Sequence, residues 1–511
     1  MWKPRNKWFL FIVFLVLSPF LFLLIERWRG QIGLAHYKKA LAAKGEKIAP
    51  SELPISFNES DNGTPKIVRE AGKLKPGQAL PSNGPSRMLL LPSGHAIVGF
   101  HEDEWLDMGR TNFWDDLALD WEVNAPVLSN ITVALNMPVF NSRLDYSKGA
   151  NLLIPNLALS KNLVLWFAGG SQLALYHHEN QESLERLLPQ ILLPHILESD
   201  QLALSELVRN SMASIARSST WEALQAEGWS DDDLRQIQTA WESHDFISSA
   251  IAGLQGDFIY EDVTYDLMRN SNDQTFQILF QWRNIFGLDD EPNAWEKFLE
   301  SLPYSDEIVE FQQKQIFCPL WRFTWSHQDQ LRSARHIHDL LETIRALKKT
   351  QSLAAVRARL EEVKAARAEK NFYDRIRYPW PKMPFSLSQV VTKAARAQTE
   401  CSLTICAVAL HRYALRHGKF PSSPNLLVPE FFPSVPIDYM DGKPVKYFLN
   451  HDGSFTLYSV GEDGVDNNGN PLAAEGKDQS TRNIWNRKDA AWPAAATEEE
   501  VEKFRASIGT K

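Results

Sequence analysis

The chain has 511 residues, of which 44% are hydrophobic and 23% are charged, proportions typical of an ordinary globular protein. Its formal net charge of −9 argues against a nucleic-acid partner, because binding to phosphates requires a basic face. Three cysteines are too few for a disulfide scaffold. Cys401 and Cys406 point to different sides of a predicted helix, so unpaired cysteines are favoured over one bridge from Cys318.

The first strong feature is an uncharged apolar stretch, WFLFIVFLVLSPFLFLLI, at residues 8–25. At about 1.5 Å per residue it is long enough to cross a bilayer as a helix, and Ser18 and Pro19 are tolerated in such a helix. An uncleaved anchor is favoured over a cleaved signal peptide, because the apolar core is long and no small-residue cleavage site follows closely. The basic bias places residues 1–7 in the cytoplasm and the bulk of the chain outside it. The flanking charges are Lys3, Arg5 and Lys7 against Glu26, Arg27 and Arg29.

Residues 26–86 are predicted to be a membrane-proximal segment. Its first part continues the helix and ends at Gly45. Residues 49–86 are rich in Pro, Gly, Ser and Asn, which predicts a linker or an ordered coil that lies over the body. The body, residues 87–385, begins with short apolar runs and is helical almost throughout from 151 to 375. This succession of helix pairs indicates a mainly α, solenoid-like architecture.

Two helix starts in the body carry capping signals. Thr220, followed by WEALQAEGW, predicts one capped helix, and Ser230 predicts another with Asp233 at the capping-box position. The acidic run at 231–233 also resembles the Asp-x-Asp metal motif of sugar transferases. Capping explains the run better, because acidic residues in a first turn suit the helix dipole.

Tryptophan is the compositional outlier, with 17 residues. Sugar stacking is one interpretation, and anchoring of helix–helix packing is the favoured one. Residues 101–122, HEDEWLDMGRTNFWDDLALDWE, combine carboxylates with tryptophans as a glycosidase would require. An acidic helix face and loop is the favoured interpretation of this run. Under the enzyme alternative, Glu104, Asp115 and Asp116 are the first residues to test.

Histidine clusters do not match metal motifs in this sequence. His177–His178–Glu179 and His336-x-His338 place their residues on different helix faces, and neither resembles the His-Glu-x-x-His zinc helix. The sequence also lacks a Gly-x-Ser-x-Gly motif, a Walker loop, a dinucleotide fingerprint and a Cys-x-x-Cys pair. It therefore predicts no catalytic and no cofactor-binding residue.

Residues 386–475 are predicted to form a small α+β module. A long helix over 386–417 is stopped by the sequence GKFP. Two strands follow, an alternating one over 445–449 and a second over 455–460. They are joined by the turn NHDG at 450–453, which tolerates positive φ, so the pattern predicts a β-hairpin.

The order of these elements is similar to the C-terminal half of the type II secretion major pseudopilins. The helix ends in HRYALRHGKFP, then Pro436-x-Asp438 and DGKPVKY follow, and DGSFTLYSVGEDGVDNNG at 452–469 leads from a strand into an acidic loop. In that family the last loop binds calcium, and carboxylate, amide and carbonyl oxygens suit this ion. The resemblance therefore implies calcium ligands at Asp463, Asp466, Asn468 and Glu462. The alternative is a plain polar turn.

The sequence also departs from that family. Tyr439 follows Asp438 where the family has proline, the whole body separates the apolar stretch from the long helix, and no prepilin-processing site precedes the stretch. The C-terminal tail, residues 476–511, carries Ala491-Trp492-Pro493 before a short acidic helix. This layout resembles a set of bacterial membrane-anchored envelope proteins that have no established activity.

Together these patterns predict a single-pass protein of the bacterial inner (cytoplasmic) membrane with a periplasmic body. We expect a scaffold or interaction protein that contacts envelope or secretion-system proteins and performs no catalysis. The alternative is an enzyme acting on envelope polysaccharide, or a glycan-binding protein. Calcium is the one cofactor that the sequence suggests, and nucleic acid is not an expected partner.

Overall fold

The computed structural model describes residues 4–53, 56–77, 88–107, 110–281, 305–366, 372–379, 387–477 and 483–509. It is mainly α-helical with a small β portion, which confirms the predicted fold class at that level. The helices are α1 (Pro4–Ala43), α2 (Thr64–Ala71), α3 (Trp114–Leu135), α4 (Leu157–Tyr176), α5 (Asn180–Leu192), α6 (Ala203–Leu224), α7 (Asp231–Glu242), α8 (Phe246–Asn270), α9 (Asn272–Phe276), α10 (Ser305–Phe311), α11 (Cys318–Thr324), α12 (Ser326–Thr350), α13 (Leu353–Ala366), α14 (Phe372–Arg377), α15 (Ser388–His417) and α16 (Glu498–Gly509). Among the described residues, two π-helical segments, Gln277–Gln281 and Gln312–Phe317, interrupt the α-helical series.

In the part of the chain that the structure describes, the β portion consists of short strands in four small sheets. The strands are β1 (Leu89–Leu90), β2 (His95–Ile97), β3 (Glu104–Asp107), β4 (Arg110–Phe113), β5 (Ile437–Asp438), β6 (Lys443–Pro444), β7 (Lys446–Leu449), β8 (Phe455–Ser459), β9 (Ala490–Ala491) and β10 (Ala494–Ala495). Their orders are β1-β2-β10, β3-β4, β5-β6 and β7-β8-β9. The predicted hairpin is present as β7 and β8, with Tyr447 opposite Leu457 in an antiparallel pair.

Helix α1 contains both the predicted span and the helix that follows it, without a break. Its C-terminal half packs against α12, where Leu34 and Leu41 are buried and a Cβ placed on Gly30 would lie 2.7 Å from Gln328 Cγ. Within the residues that the structure describes, no helix combines the length and the apolar character that a membrane crossing requires.

The predicted linker is ordered where the structure describes it. Two 3₁₀ turns, Pro50–Glu52 and Glu59–Asp61, precede α2. Leu53 and Ile67 from this segment are completely buried against the body. Residues 78–87 lie outside the described residues. The first part of the segment is therefore a packed layer on the body and not a free tether.

The long helix α15 lies between two hydrophobic cores. Its later residues, including Cys406 and Leu410, join a first core with residues 88–100 and helices α4 to α7. Its first residues, including Val390 and Ala394, join a second core with α8, α12 and α13. The predicted module at 386–475 therefore shares both cores with the helical body. The helix ends as predicted, with Gly418 at φ 71° as the left-handed C-cap.

One of the two predicted helix caps is present. Ser230 Oγ accepts a hydrogen bond from the Asp233 N–H (3.1 Å), and the Asp233 carboxylate accepts one from the Ser230 N–H (3.0 Å), which is the predicted capping box. The cap at Thr220 is wrong. Thr220 lies inside α6, where its hydroxyl group donates to the Ala216 carbonyl oxygen (2.9 Å). A threonine within a helix can satisfy its hydroxyl in this way, so its presence alone does not mark a helix start.

The C-terminal residues belong to the body. Strand β9 pairs with β8 in antiparallel orientation, and β10 pairs with β2 in parallel orientation. Between them, the Trp221 indole N–H donates to the Pro493 carbonyl oxygen (2.9 Å). Leu89, Leu91 and Ile97 form a small cluster against α16. The segment predicted as a tail therefore joins the hairpin sheet to the β1-β2 sheet.

Candidate functional site

The acidic loop that follows β8 is the site to which sequence reasoning assigned calcium. Gly461 and Gly464 adopt φ values of 72° and 74°, a backbone region that glycine enters without strain and that allows the chain to turn sharply after the strand. Asn468 adopts φ 58° and tolerates this left-handed conformation better than most other residues. The loop is thus built from tight turns that expose its polar groups.

The structure brings two of the four predicted calcium ligands together. Asp466 Oδ1 accepts hydrogen bonds from the Asn468 N–H (2.9 Å) and from the Tyr458 hydroxyl group (2.9 Å). The other two predicted ligands have their own contacts. Asp463 accepts from the Val465 N–H (3.0 Å), and Glu462 forms an ion pair with Arg396 of α15. Each carboxylate therefore already has an internal donor, and calcium binding stays a prediction.

A residue that sequence reasoning missed holds this loop to the body. Asp489 is completely buried, and its carboxylate accepts hydrogen bonds from the backbone N–H groups of Asn467 (3.2 Å) and Asn470 (3.0 Å). Burial raises the pKa of Asp489 above its usual range. No motif surrounds this residue in the sequence, so only the path of the chain back to the loop identifies its role.

Arg487 makes a second unpredicted link in the same region. Its guanidinium group donates to the carbonyl oxygens of Leu91 (2.8 Å), Pro92 (3.1 Å) and Pro471 (2.5 Å). The buried cation thus joins the β1-β2 turn to the segment after the acidic loop. Planar guanidinium groups suit this task because several donors point outward in fixed directions.

Asp438, part of the pseudopilin-like Pro-x-Asp sequence, is also completely buried. Its carboxylate accepts hydrogen bonds from the Met440 N–H (2.9 Å), the Ser459 hydroxyl group (2.8 Å) and the Val460 N–H (3.1 Å). Burial raises the pKa of this carboxyl group. Asp438 therefore fixes the connection after α15 against the end of β8, which is a structural role.

A cavity of about 560 Å³ lies where α1, α12, α13 and α14 meet. Its lining combines arginines with carboxylates: Arg29, Arg332, Arg335 and Arg377 with Asp329, Asp339 and Asp374. Arg29 and Arg377 both pair with the buried Glu26, at 2.6 Å and 3.4 Å. The positive charges of the cavity wall are therefore balanced by neighbouring carboxylates. As a result, the lining does not favour either anionic or cationic ligands.

Within the described ranges, two groups of residues place imidazole and carboxylate atoms close enough to share a metal ion: His195–Glu198–His244 and Glu46–His338–Glu342. In the second group, Arg345 donates to Glu46 (2.8 Å) and to Glu342 (2.8 Å). The positive charge of Arg345 repels a divalent cation that would bind to the same two carboxylates. Of the residues in the two histidine clusters of the sequence, only His338 belongs to either group.

An arginine also occupies the first group. Arg209 is completely buried and donates to Glu198, and its Nη2 lies 3.4 Å from His244 Nδ1. The rings of His195 and His244 stack with centroids 4.2 Å apart. Burial, followed by the neighbouring His195 and Arg209, lowers the pKa of His244 well below its usual value. Both groups are therefore best described as internal charge networks.

Of the three residues assigned to the glycan alternative, the structure describes the side chains of Asp115 and Asp116 alone. Asp115 and Asp116 are exposed in the first turn of α3. The backbone of Glu104 lies in β3, so the predicted acidic helix face is preceded by a hairpin, but the Glu104 side chain is not among those described. Among tryptophans with described side chains, Trp28 alone is exposed; the buried ones are Trp114, Trp166, Trp221, Trp229, Trp241, Trp321, Trp325 and Trp492.

Comparison with known proteins adds no assignment, because no family model, no curated protein and no solved structure matches this chain. The resemblance of the C-terminal region to pseudopilins therefore stays a prediction from its residues.

Proposed function

We propose that this chain is a membrane-anchored scaffold or interaction protein of a bacterial envelope, with α1 as its anchor in the inner membrane and the body in the periplasm. One observation carries the proposal. A single continuous helix has an N-terminal half that exposes apolar side chains and a C-terminal half that is packed into the body.

The contrast between the two halves of α1 is large. Phe14, Leu15 and Phe20 are 69%, 58% and 63% exposed, whereas Leu34 and Leu41 are 5% and 3% exposed. Contiguous exposed apolar surface of this kind marks a membrane or protein contact. The lipid interpretation rests on the complete uncharged stretch at 8–25, some of whose side chains lie outside those described.

The C-terminal hairpin supplies a surface for a protein partner. Strand β7 is at the edge of the sheet β7-β8-β9, and its residues Phe448 and Leu449 are both exposed. An edge strand offers unpaired backbone groups to which an extended segment of another protein can add. This surface supports the interaction role and the proposed link to envelope or secretion-system proteins.

The glycan alternative has less support. Sugar-binding platforms need exposed aromatic rings, and most of the tryptophans with described side chains are buried. The indole N–H groups of four of the buried ones, Trp114, Trp221, Trp229 and Trp241, donate to protein acceptors. Their packing role accounts for their number. We therefore keep the scaffold as the proposed function.

Membrane anchorage is tested by alkaline carbonate extraction of cell membranes that contain the full chain. We expect the wild-type chain to stay in the membrane pellet. We expect a Leu15→Arg, Leu17→Arg double variant to be released, since each charge costs about 2.5–3.5 kcal/mol in a membrane helix. Leu153→Arg, at an exposed position in the body, is the control. Release of the wild-type chain would contradict the proposal.

Partner binding is tested by in-cell crosslinking followed by identification of the captured proteins. Deleting the module is a poor perturbation, because α15 belongs to both cores. A Phe448→Ser, Leu449→Ser double variant instead changes only exposed side chains on β7. We expect envelope proteins to be captured with the wild-type chain and with Leu153→Ser and lost with the hairpin variant. A chain captured alone would count against a scaffold.

Calcium binding at the acidic loop has its own test. If Asp463, Asp466, Asn468 and Glu462 bind the ion, added calcium raises the Tm of the wild-type chain by mass action. Asp463→Ala and Asp466→Ala should abolish the rise, while Asp232→Ala, an exposed acidic residue in α7, should keep it. An unchanged wild-type Tm would leave the loop as a polar turn held by Asp489.

A further inference from the structure

A second exposed apolar surface lies on the helical segment 305–324, which comprises α10, the π-helical turn Gln312–Phe317 and α11. Its exposed members are Ile308, Phe311, Ile316, Leu320 and Phe323. Phe311 and Ile316 are 61% and 58% exposed, which is as high as the exposed residues of α1. We call these five residues the apolar stripe.

The spacing places the stripe on one side of the segment. Within α-helical turns, residues three or four apart are neighbours on the surface, as are Ile316 and Leu320. Phe311 and Ile316 are five apart, which would separate them in an α-helix. The π-helical turn between them forms hydrogen bonds between residues five apart and so keeps both on the same side.

The opposite side of the segment is packed into the body. Cys318 and Trp321 are completely buried, and Trp321 joins a cluster with Tyr265 and Met268 of α8. This packing fixes α11 to the body, and the residues of the stripe lie on the exposed side.

The segment lies beside α1 at the end of the apolar stretch. Leu23 of α1 packs against the cluster that contains Trp321. One turn further on, Arg27 Nη1 donates to the Phe323 carbonyl oxygen (3.0 Å), and the guanidinium carbon lies 4.7 Å from the Phe323 ring centroid. Phe323 is thus at the level at which the predicted span ends.

We propose that the apolar stripe of segment 305–324 lies in the interfacial layer of the same bilayer that α1 spans, as a second, monotopic membrane contact. The proposal rests on the membrane anchorage proposed above. Two features of the site support lipid as the occupant. The Phe323 end of the stripe lies beside α1, whose preceding turns expose apolar side chains, and Arg27 with the exposed Trp28 occupies the boundary. Arginine and tryptophan side chains are suited to this depth, where one end of the side chain is apolar and the other is solvated.

Such a contact would fix the orientation of the body. A single helix leaves the body free to tilt and to rotate about the helix axis. A second contact beside the helix removes part of this freedom, because an amphipathic segment in the interface lies in the membrane plane. The periplasmic hairpin would then be presented at a defined height and direction.

The test uses the full chain reconstituted into liposomes with a fluorophore on one introduced cysteine. Ile316→Cys reports on the stripe, Phe14→Cys reports on α1, and Leu153→Cys is the matched exposed control in the body. The native cysteines are buried and do not compete for the label in the folded chain. Bromine-labelled phospholipids then quench a fluorophore only where it contacts lipid.

We expect loss of fluorescence at positions 14 and 316 and unchanged fluorescence at position 153. Quenching at 14 alone would overturn the second contact and leave the anchor intact. Quenching at neither 14 nor 316 would overturn the anchor and, with it, this proposal. A blue shift at 316 without lipid quenching would also overturn it, because a protein surface would then cover the stripe.

Discussion

Glu222 is a carboxyl group that the fold holds in the interior of the body. It is buried in α6, and both of its oxygens lie within hydrogen-bonding distance of the Gly99 N–H, at 3.1 Å and 2.9 Å. Burial raises the pKa of Glu222 to about 8, so the folded chain holds this group protonated at neutral pH. The position is thus a source of pH-dependent stability.

In the wild-type chain we expect the free energy of unfolding to fall as pH rises, and in Glu222→Gln we expect it to fall less steeply. The folded-state pKa lies above the ordinary value of 4.5, so the folded chain binds more protons than the unfolded chain between pH 4.5 and about 8. The free energy of unfolding therefore falls with rising pH in this window, by at most about 1.4 kcal/mol per pH unit for one group. Glutamine keeps the acceptor oxygen for Gly99 and does not titrate.

Urea unfolding between pH 5 and pH 8 measures this effect, with Asp116→Asn as the control for loss of one exposed carboxylate. A slope should remain in the Glu222→Gln variant, because burial also raises the pKa of Asp200 to about 6 and that of Glu206 to about 7. If the free energy of unfolding changed with pH equally in Glu222→Gln and in the wild-type chain, the fold would not raise the pKa of Glu222, and the prediction would be wrong.

Arg487 should contribute more to stability than a typical arginine. In Arg487→Ala the carbonyl oxygens of Leu91, Pro92 and Pro471 lose their charged donor in a buried setting. We expect a loss of about 3 kcal/mol in the free energy of unfolding, typical for removal of such a donor. Lys488→Ala, at the exposed neighbouring position, should be nearly neutral. If Arg487→Ala and Lys488→Ala lowered the free energy of unfolding equally in denaturant, the stabilising role of Arg487 would be refuted.

Helix α1 can orient the body only if its packing against α12 is tight. A Cβ on Gly30 would lie 2.7 Å from Gln328 Cγ and 3.1 Å from the Gln328 backbone nitrogen, so α12 leaves no room for a side chain here. We expect Gly30→Leu to destabilise the chain by about 1–3 kcal/mol through overpacking, although leucine favours helix more than glycine does.

The matched control is Ile32→Leu, on the exposed side of the same helix. Thermal unfolding in detergent compares the variants, and amide exchange in α12 locates the effect. If Gly30→Leu were as stable as the wild-type chain, α1 and α12 would have to separate easily, and α1 would be a loose tether.

The elements that could be predicted from the sequence are those with local signals. The sequence predicts helix α15 at 386–417 because glycine and proline mark its end, and the helix is observed at Ser388–His417. The hairpin β7-β8 followed from alternation around a polar turn. The Ser230 capping box and the helical character of the body can likewise be predicted, because short stretches of sequence determine them.

Features made by distant residues could not be predicted in the same way. Strands β9 and β10 have two residues each and exist because β8 and β2 offer edges to them. The arginine-filled charge networks and the role of Asp489 depend on residues that are far apart in the chain and meet only in the fold. The apolar stripe was missed because a π-helical turn changes the spacing that a search for α-helical periodicity would use.

At the scale of the whole molecule, both ends of the body are joined to the same framework. The first core contains residues from 88–100, from α15 and from Trp492 near the C-terminus. Strands β8 and β2 are far apart in sequence. The C-terminal segment joins them, because its neighbouring strands β9 and β10 pair with β8 and β2 respectively. The chain should therefore unfold as a cooperative unit and not as a body with a removable module.

This organisation predicts the result of C-terminal truncation. Ending the chain after residue 482 removes Asp489 from the acidic loop, the Pro493 acceptor from Trp221 and both strands β9 and β10. Exposed strand edges and unpaired buried groups each cost free energy, so we expect loss of the folded body. Ending the chain after Thr497 removes α16 alone and keeps β10, and this control should fold with a modest decrease in Tm. Limited proteolysis of both truncations in membranes makes the comparison. A protease-resistant body in the shorter chain would show that the C-terminal segment is an appendage after all.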